Sequence, residues 1–332
     1  MKKTILLVLA LCLCFTAFGA AHAEKAAEGK SAEELVRAGD DARDTKDYGK
    51  ALEYYQLAAD LGDAEAINEI GVLYTDGLGV EQSGEKAFEY YQRAAELGNL
   101  MAIANLGICY ADGIGVEQNY EEALRLFHMA AEQGLAAAQY DLGIVYYYGE
   151  GVPQDYSEAF RYFSLGAEQG FPDAMLMTGL CYLDGEGTEQ NDAEGMKYIR
   201  MAMEEGSTDA LVMLGYCYST GLGVELDYAE GMKYYQLAAD QGDGLALYNL
   251  GYNYETGSGV EQDFDKALQY YTLSAEKGCA QGMFGMGECY YMGYGVEKDL
   301  SKAAEWYLKA TEAGYVPDPE DQEHLKAVLG NN

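Results

Sequence analysis

The stretch Leu106-Gly107-Ile108-Cys109-Tyr110-Ala111-Asp112-Gly113-Ile114-Gly115-Val116-Glu117-Gln118-Asn119-Tyr120 decides how the rest of the chain is read. It sets a glycine inside an apolar run, then a Gly-x-Gly breaker, then a hydrogen-bonding side chain followed by an aromatic one. Working outward, the first of these glycines belongs to a column of Gly71, Gly107, Gly143, Gly179, Gly215, Gly251 and Gly287, each 36 residues from the next. Parallel columns run from Gly62 to Gly314, from Gly77 to Gly293 and from Gly79 to Gly295, with no insertion or deletion in seven units. Self-similarity at such a period means stacked supersecondary units, none of which can bury its apolar face alone.

Each unit reads as helical twice over. Ala66, Ile70, Gly71 and Tyr74 lie at helical spacing, and Gly77-Leu78-Gly79 stops that first helix. The column of Ser83, Asn119, Asp155, Asn191, Asp227, Asp263 and Asp299 supplies acceptors for the free amides of a second helix. That helix carries Ala87, Tyr90, Tyr91, Ala94 and Ala95 on one stripe and ends at Gly98. Glycine inside a helix costs about 1 kcal/mol against alanine, so the Gly71 column predicts a close approach of two helices. The result is an all-α, right-handed solenoid of seven αα-hairpins over residues 63–314. Residues 31–62 form an N-terminal capping hairpin. Pro317 and Pro319 then break the register, and residues 315–332 hold a closing helix from Glu320 to Leu329.

The chain has 332 residues, 49% of them hydrophobic, enough for a sizeable core. Its formal charge of -35 excludes a phosphate backbone as partner and disfavours anionic membranes, because no basic patch interrupts it. Lys2 and Lys3, the apolar stretch Ile5 to Phe18 and Ala21-His22-Ala23 read as a cleavable export signal over residues 1–23. A mature chain would begin at Glu24, with residues 24–30 disordered, in the periplasm or outside the cell. No later run approaches the roughly 20 apolar residues of a membrane span.

The Leu106–Tyr120 signature, an L-G-x-x-Y-x-x-G-x-G-V core in seven aligned copies, resembles the Sel-one-like repeat (SLR), a relative of the tetratricopeptide repeat. The resemblance covers residues 47–314. Thr178 departs from its Leu, Thr188 from its Val, and Gly195 and Gly231 from the small Ala of the second helix, which makes the fourth repeat the expected weak point. The resemblance implies an α-solenoid that binds other proteins or peptides; no cofactor is expected, since the sequence holds no metal or nucleotide motif.

If the first helix is similar to its tetratricopeptide counterpart, columns 65, 68, 72, 75 and 76 face the concave side. Subtracting the tyrosines at columns 74, 90 and 91, and those opening second helices, as core leaves nine, seven of which fall in these columns. Repeats three to six then present Tyr140, Ile144, Tyr147 and Tyr148; Leu176, Leu180 and Leu183; Val212 and Tyr216; and Leu245, Tyr248 and Tyr252. Phe284 and Tyr291 extend the series. The charged residues in the same columns are Glu65, Asp76, Asp112, Asp173, Asp184, Asp209, Glu255 and Glu288, with no Lys or Arg. Such a face suits a protein or peptide with cationic and apolar groups, since aromatic anchors dominate interface energies. Two other readings stand beside it: the rings pack against neighbouring repeats, or the acidic convex face meets a basic partner.

Catalytic and metal signals are sparse. His128 reads as a solvated surface residue, and no HExxH, CxxC, Walker or EF-hand pattern occurs. Four of the five cysteines after residue 23, Cys109, Cys181, Cys217 and Cys289, share one column, and Cys279 stands apart. Helices in stacked repeats lie about 8–10 Å apart, beyond disulfide reach, so buried free thiols are expected. Ser83-Gly84-Glu85-Lys86 and Ser274-Ala275-Glu276-Lys277 spell the S-x-x-K of β-lactamases and penicillin-binding proteins, but the S-D-N and K-T-G partners are missing. Ser83 reads as a helix cap and Ser274 as a packed small residue, so no enzyme is expected.

Overall fold

The computed structural model describes residues 29–330, apart from the side chains of Pro319 and Glu320. Residues 1–28, over which the export signal and most of the disordered leader are expected, lie outside the described residues. Within them there are seventeen helices and no strand. The first compact unit, ending at Tyr162, holds α1 (Ala32–Asp44), α2 (Tyr48–Asp60), α3 (Ala64–Asp76), α4 (Gly84–Glu96), α5 (Leu100–Asp112), α6 (Tyr120–Glu132) and α7 (Ala136–Tyr148). The boundary falls inside α8 (Tyr156–Glu168). From Phe163 the second unit holds α9 (Pro172–Asp184), α10 (Asp192–Glu204), α11 (Thr208–Thr220), α12 (Tyr228–Asp240), α13 (Gly244–Thr256), α14 (Phe264–Glu276), α15 (Ala280–Met292), α16 (Leu300–Glu312) and α17 (Pro319–Leu329). Within each unit successive helices pack as stacked αα-hairpins, the architecture of an α-solenoid.

The second helices start where the acceptor column predicts. Ser83, Asn119, Asn191, Asp227, Asp263 and Asp299 each cap one through a side-chain oxygen that accepts an amide of the first turn. Gly77, Gly113, Gly185, Gly221, Gly257 and Gly293 end first helices in the left-handed region. The second glycine of the breaker also joins repeats. A Cβ on Gly115 would lie 2.2 Å from the Gly84 carbonyl oxygen, and one on Gly151 2.3 Å from Tyr120 Cβ. The loops of Gly79, Gly115, Gly151, Gly259 and Gly295 thus seat on the start of the preceding second helix, and an inserted residue would lift them off.

The mid-helix glycines make room for rings rather than for a neighbouring backbone. A Cβ on Gly71 would sit 2.6 Å from the ring of Tyr91, and Gly107 stands likewise over Phe127, Gly215 over Tyr235 and Gly287 over Tyr307. These column-91 rings are the core, with Tyr55, Tyr271 and Tyr307 at most 1% exposed. The small column holds Ala51, Ala87, Ala123, Ala267 and Ala303, all essentially inaccessible. Where glycine replaces it, the backbones do approach: a Cβ on Gly195 would lie 2.9 Å from the Gly179 carbonyl oxygen.

Columns 74 and 90 refine the sequence reading. Their rings stack in pairs, Tyr74–Tyr90 at 5.6 Å, Tyr146–Tyr162 at 5.8 Å, Tyr218–Tyr234 and Tyr254–Tyr270 each at 5.6 Å between centroids; most of these rings are half-buried, while Tyr54 and Tyr162 of column 90 lie in the core. The phenol keeps its polar end in water while its body covers the hairpin. Lys86 and Lys266 lie over the outer faces of Tyr74 and Tyr254. His128 is corrected. It is half-buried, its ring edge-on to Tyr162 and its Nδ1 3.3 Å from the Tyr162 hydroxyl.

Candidate functional site

The first helices carry the candidate residues because α-helical spacing sends columns 65, 72 and 76 away from the partner helix. In the first unit Tyr148 is 61% exposed at the end of α7, while Tyr140, Ile144 and Tyr147 are half-buried. Tyr147 holds Tyr148 edge-on at 5.0 Å and meets Tyr156 at 5.1 Å, which gives the exposed ring a fixed wall. Glu65, Asp76 and Asp112 stand exposed in the same columns.

In the second unit Tyr216, Leu245 and Tyr252 are exposed, and Leu176, Leu180, Val212, Tyr248 and Tyr291 are half-buried. Two residues leave the candidate set. Leu183 is 1% exposed and fills the space that Gly195 and Gly223 vacate. Phe284 is 5% exposed, between the rings of Tyr307 at 5.2 Å and Tyr315 at 4.4 Å. Both were placed by column alone; missing side chains opposite draw Leu183 inward, and the rings of Tyr307 and Tyr315 cover Phe284. Asp173 is raised above the usual carboxylate range by burial and then by Asp209 one repeat on, so like charges already crowd this face.

The C-terminal repeats enclose a cavity of about 420 Å³. Tyr248, Tyr252 and Glu255 of α13 form one wall, and Phe284, Gly285 and Glu288 of α15 the other. Tyr271 lies at its base, while Tyr315, Asp318, Asp321 and His324 come from α17 and the segment before it. Tyr271 donates to Glu255 at 2.7 Å, Tyr315 donates to Asp321, and His324 Nδ1 lies 2.9 Å from Glu288 Oε1. Burial raises Glu255, Tyr271's hydroxyl opposes that shift, and Glu288 adds to it. The repeat columns did not reveal this contribution of the closing helix, because residues 315–330 lie outside the period. The signal available was Tyr315, one of the two tyrosines that no column explained.

The remaining chemical groups are held in structural roles. Cys109, Cys181, Cys217 and Cys289 are free and buried, and Cys279 is free and half-buried. Burial pushes the Cys109 and Cys217 thiols up to about 11 and those of Cys181 and Cys289 up to about 12. Ser83 Oγ accepts the Lys86 amide, and Ser274, fully buried, donates to the Gly244 carbonyl at 2.6 Å. Among the described residues no His, Cys, Asp and Glu group has metal-site geometry, and no helix is long and apolar enough to cross a membrane.

Comparison with known proteins agrees with this architecture. The Sel1 repeat family model matches residues 39–63, 64–99, 100–135, 136–171, 172–207, 208–243, 244–279 and 280–315. The first match lies in the segment read from sequence as a cap. A protective antigen of uropathogenic Escherichia coli with an SLR fold is 32% identical over 93% of this chain and 67% of its own, with a TM-score of 0.57. A Sel1 repeat protein from Oxalobacter formigenes is 30% identical over 92% of this chain and 90% of its own, with a TM-score of 0.61. Yeast Tom70, 14% identical over 91% of this chain and 64% of its own, shares the fold at a TM-score of 0.56. No curated protein matches the chain. Sel1-repeat proteins are generally protein–protein interaction scaffolds. With eight matched segments over most of its length and two similar structures at 30% identity or more, the chain belongs to the Sel1-repeat family.

Proposed function

We propose that the chain is an exported scaffold that binds a protein or peptide on the face of its first helices. The supporting observation is the exposure of Tyr148, Tyr216 and Tyr252: Tyr148 stands where other repeats carry Asp, Thr or Met, Tyr216 and Tyr252 where they carry Val, Ile, Leu or Glu, and neither column holds a Lys or Arg. A folded chain gains nothing in stability by leaving large rings in water, whereas at an interface each can contribute about 2 kcal/mol. The surrounding carboxylates select a partner with basic as well as apolar groups. The N-terminal pattern of Lys2, Lys3 and the apolar run to Phe18 supports export.

The test captures envelope proteins on the chain lacking residues 1–23 and on the same chain with Tyr148→Ala, Tyr216→Ala and Tyr252→Ala. These side chains are exposed, so the melting temperature should stay within about 2 °C of wild type. A partner retained by wild type and lost by the variant supports the reading. Retention of the same partners by both moves the site to the second helices or the termini and overturns it.

A further inference from the structure

We infer that the cavity between α13, α15 and α17 receives the guanidinium of an arginine side chain from the protein or peptide partner, an inference that rests on the scaffold reading above. The wall chemistry carries it. The ring centroids of Tyr248 and Tyr252 lie 6.5 Å apart with the rings tilted by 31°, and that of Tyr271 lies 5.7 Å from Tyr248. Glu255, Glu288 and Asp321 stand among these rings, and no lysine or arginine lines the cavity.

The carboxylates are already oriented. Glu255 accepts from Tyr271, Asp321 from Tyr315, and Glu288 from Tyr307 and His324. A carboxylate offers about four lone-pair sites, so one or two donors leave room for a guest. Wholly aliphatic guests would strip water from those oxygens without replacing its hydrogen bonds, and anions would be repelled. A planar guanidinium satisfies both surfaces, stacking on tyrosine while its paired N–H groups meet a carboxylate two at a time. Ammonium is a more strongly hydrated point charge without a stacking face, which makes lysine the weaker fit. The volume of about 420 Å³ lies in the range of about 300–1,000 Å³ usual for ligand pockets. With Tyr252 49% exposed at the rim, a side chain can enter from the first-helix face.

The test uses the folded chain lacking residues 1–23 and the peptide acetyl-Ala-Ala-Arg-Ala-Ala-amide, with citrulline and lysine versions as probes, followed by calorimetry. Citrulline keeps the shape and loses the charge. The arginine peptide is expected to bind about tenfold tighter than citrulline and more tightly than lysine. Tyr252→Ala and Glu288→Gln should each weaken it several-fold. The exposed Tyr252 keeps the test valid should Glu288→Gln disturb the helix it anchors. Three results overturn the inference: no binding of the arginine peptide, equal binding of arginine and citrulline, or equal binding of arginine and lysine. Unchanged affinity in Tyr252→Ala overturns it as well. Should arginine fail while the triple tyrosine variant still loses its captured partner, this cavity fails and the scaffold reading stands. The reverse pattern leaves an arginine pocket without the wider face.

Discussion

At Gly71 the missing side chain is what admits the ring of Tyr91, because a Cβ there would lie 2.6 Å from it. Gly71→Ala should therefore destabilise the fold by about 1–3 kcal/mol, even though alanine is the better helix former. Gly49, exposed in the first turn of α2 with nothing within 4 Å of a built Cβ, supplies the contrast. Gly49→Ala should be neutral or stabilising by about 0.5 kcal/mol, and urea melts of the two variants check the pair. The sequence showed that the glycine column needed space but not what filled it, because ring direction depends on the facing helix.

Asp141 gives a second residue-level prediction. Burial pushes its carboxyl up to about 7, against about 3.9 in an unfolded chain. The folded state thus binds more protons than the unfolded state between those values. Stability should fall as pH rises from about 4 to about 7 and level off above. Asp141→Asn should remove that slope and raise stability at pH 8 by on the order of 3 kcal/mol, with little effect near pH 4. Denaturant melts at the two pH values read the difference. A gain of equal size at both would show that charge burial at this site is not the cause.

At the scale of elements, the fourth repeat carries the informative departures. Glycine at 195 reads in sequence as a weakness, since alanine stands in the equivalent place in most repeats. In the structure it lets α10 close on α9, where a Cβ would meet the Gly179 carbonyl at 2.9 Å and Leu183 at 2.8 Å. Gly195→Ala should accordingly lower stability by about 1–3 kcal/mol and speed amide exchange in α9 and α10. A stabilising result would mean that the two helices can move apart at no cost. The caps and helix ends were legible from one sequence because they depend on local chemistry, an acceptor before the helix and a glycine after it. The stacked Tyr74–Tyr90 type of pair was not, because periodicity marks a residue as facing the hairpin without saying how deeply it lies.

At the scale of the whole molecule, the constant 36-residue interval has a mechanical cause in the seating of loop glycines such as Gly79, Gly115, Gly151, Gly259 and Gly295 on the preceding second helix. Column arithmetic marked Tyr148, Tyr216, Leu245 and Tyr252 as facing outward from the first helices, and these four are exposed. It misplaced Leu183, which fills the space left by Gly195 and Gly223, and Phe284, which Tyr307 and Tyr315 cover, and it could not reach the closing helix. Acidity pervades the chain, at -35 formal charge, so charge alone does not choose among faces; the exposed aromatic rings are what support the proposed one. The most direct measurement is photo-crosslinking in the native host from a photoreactive phenylalanine placed at Tyr216, Tyr252 or Gln236, the last exposed on the second helix α12. The account predicts that one protein cross-links at Tyr216 and Tyr252 and not at Gln236. A partner caught from Gln236 alone would contradict it.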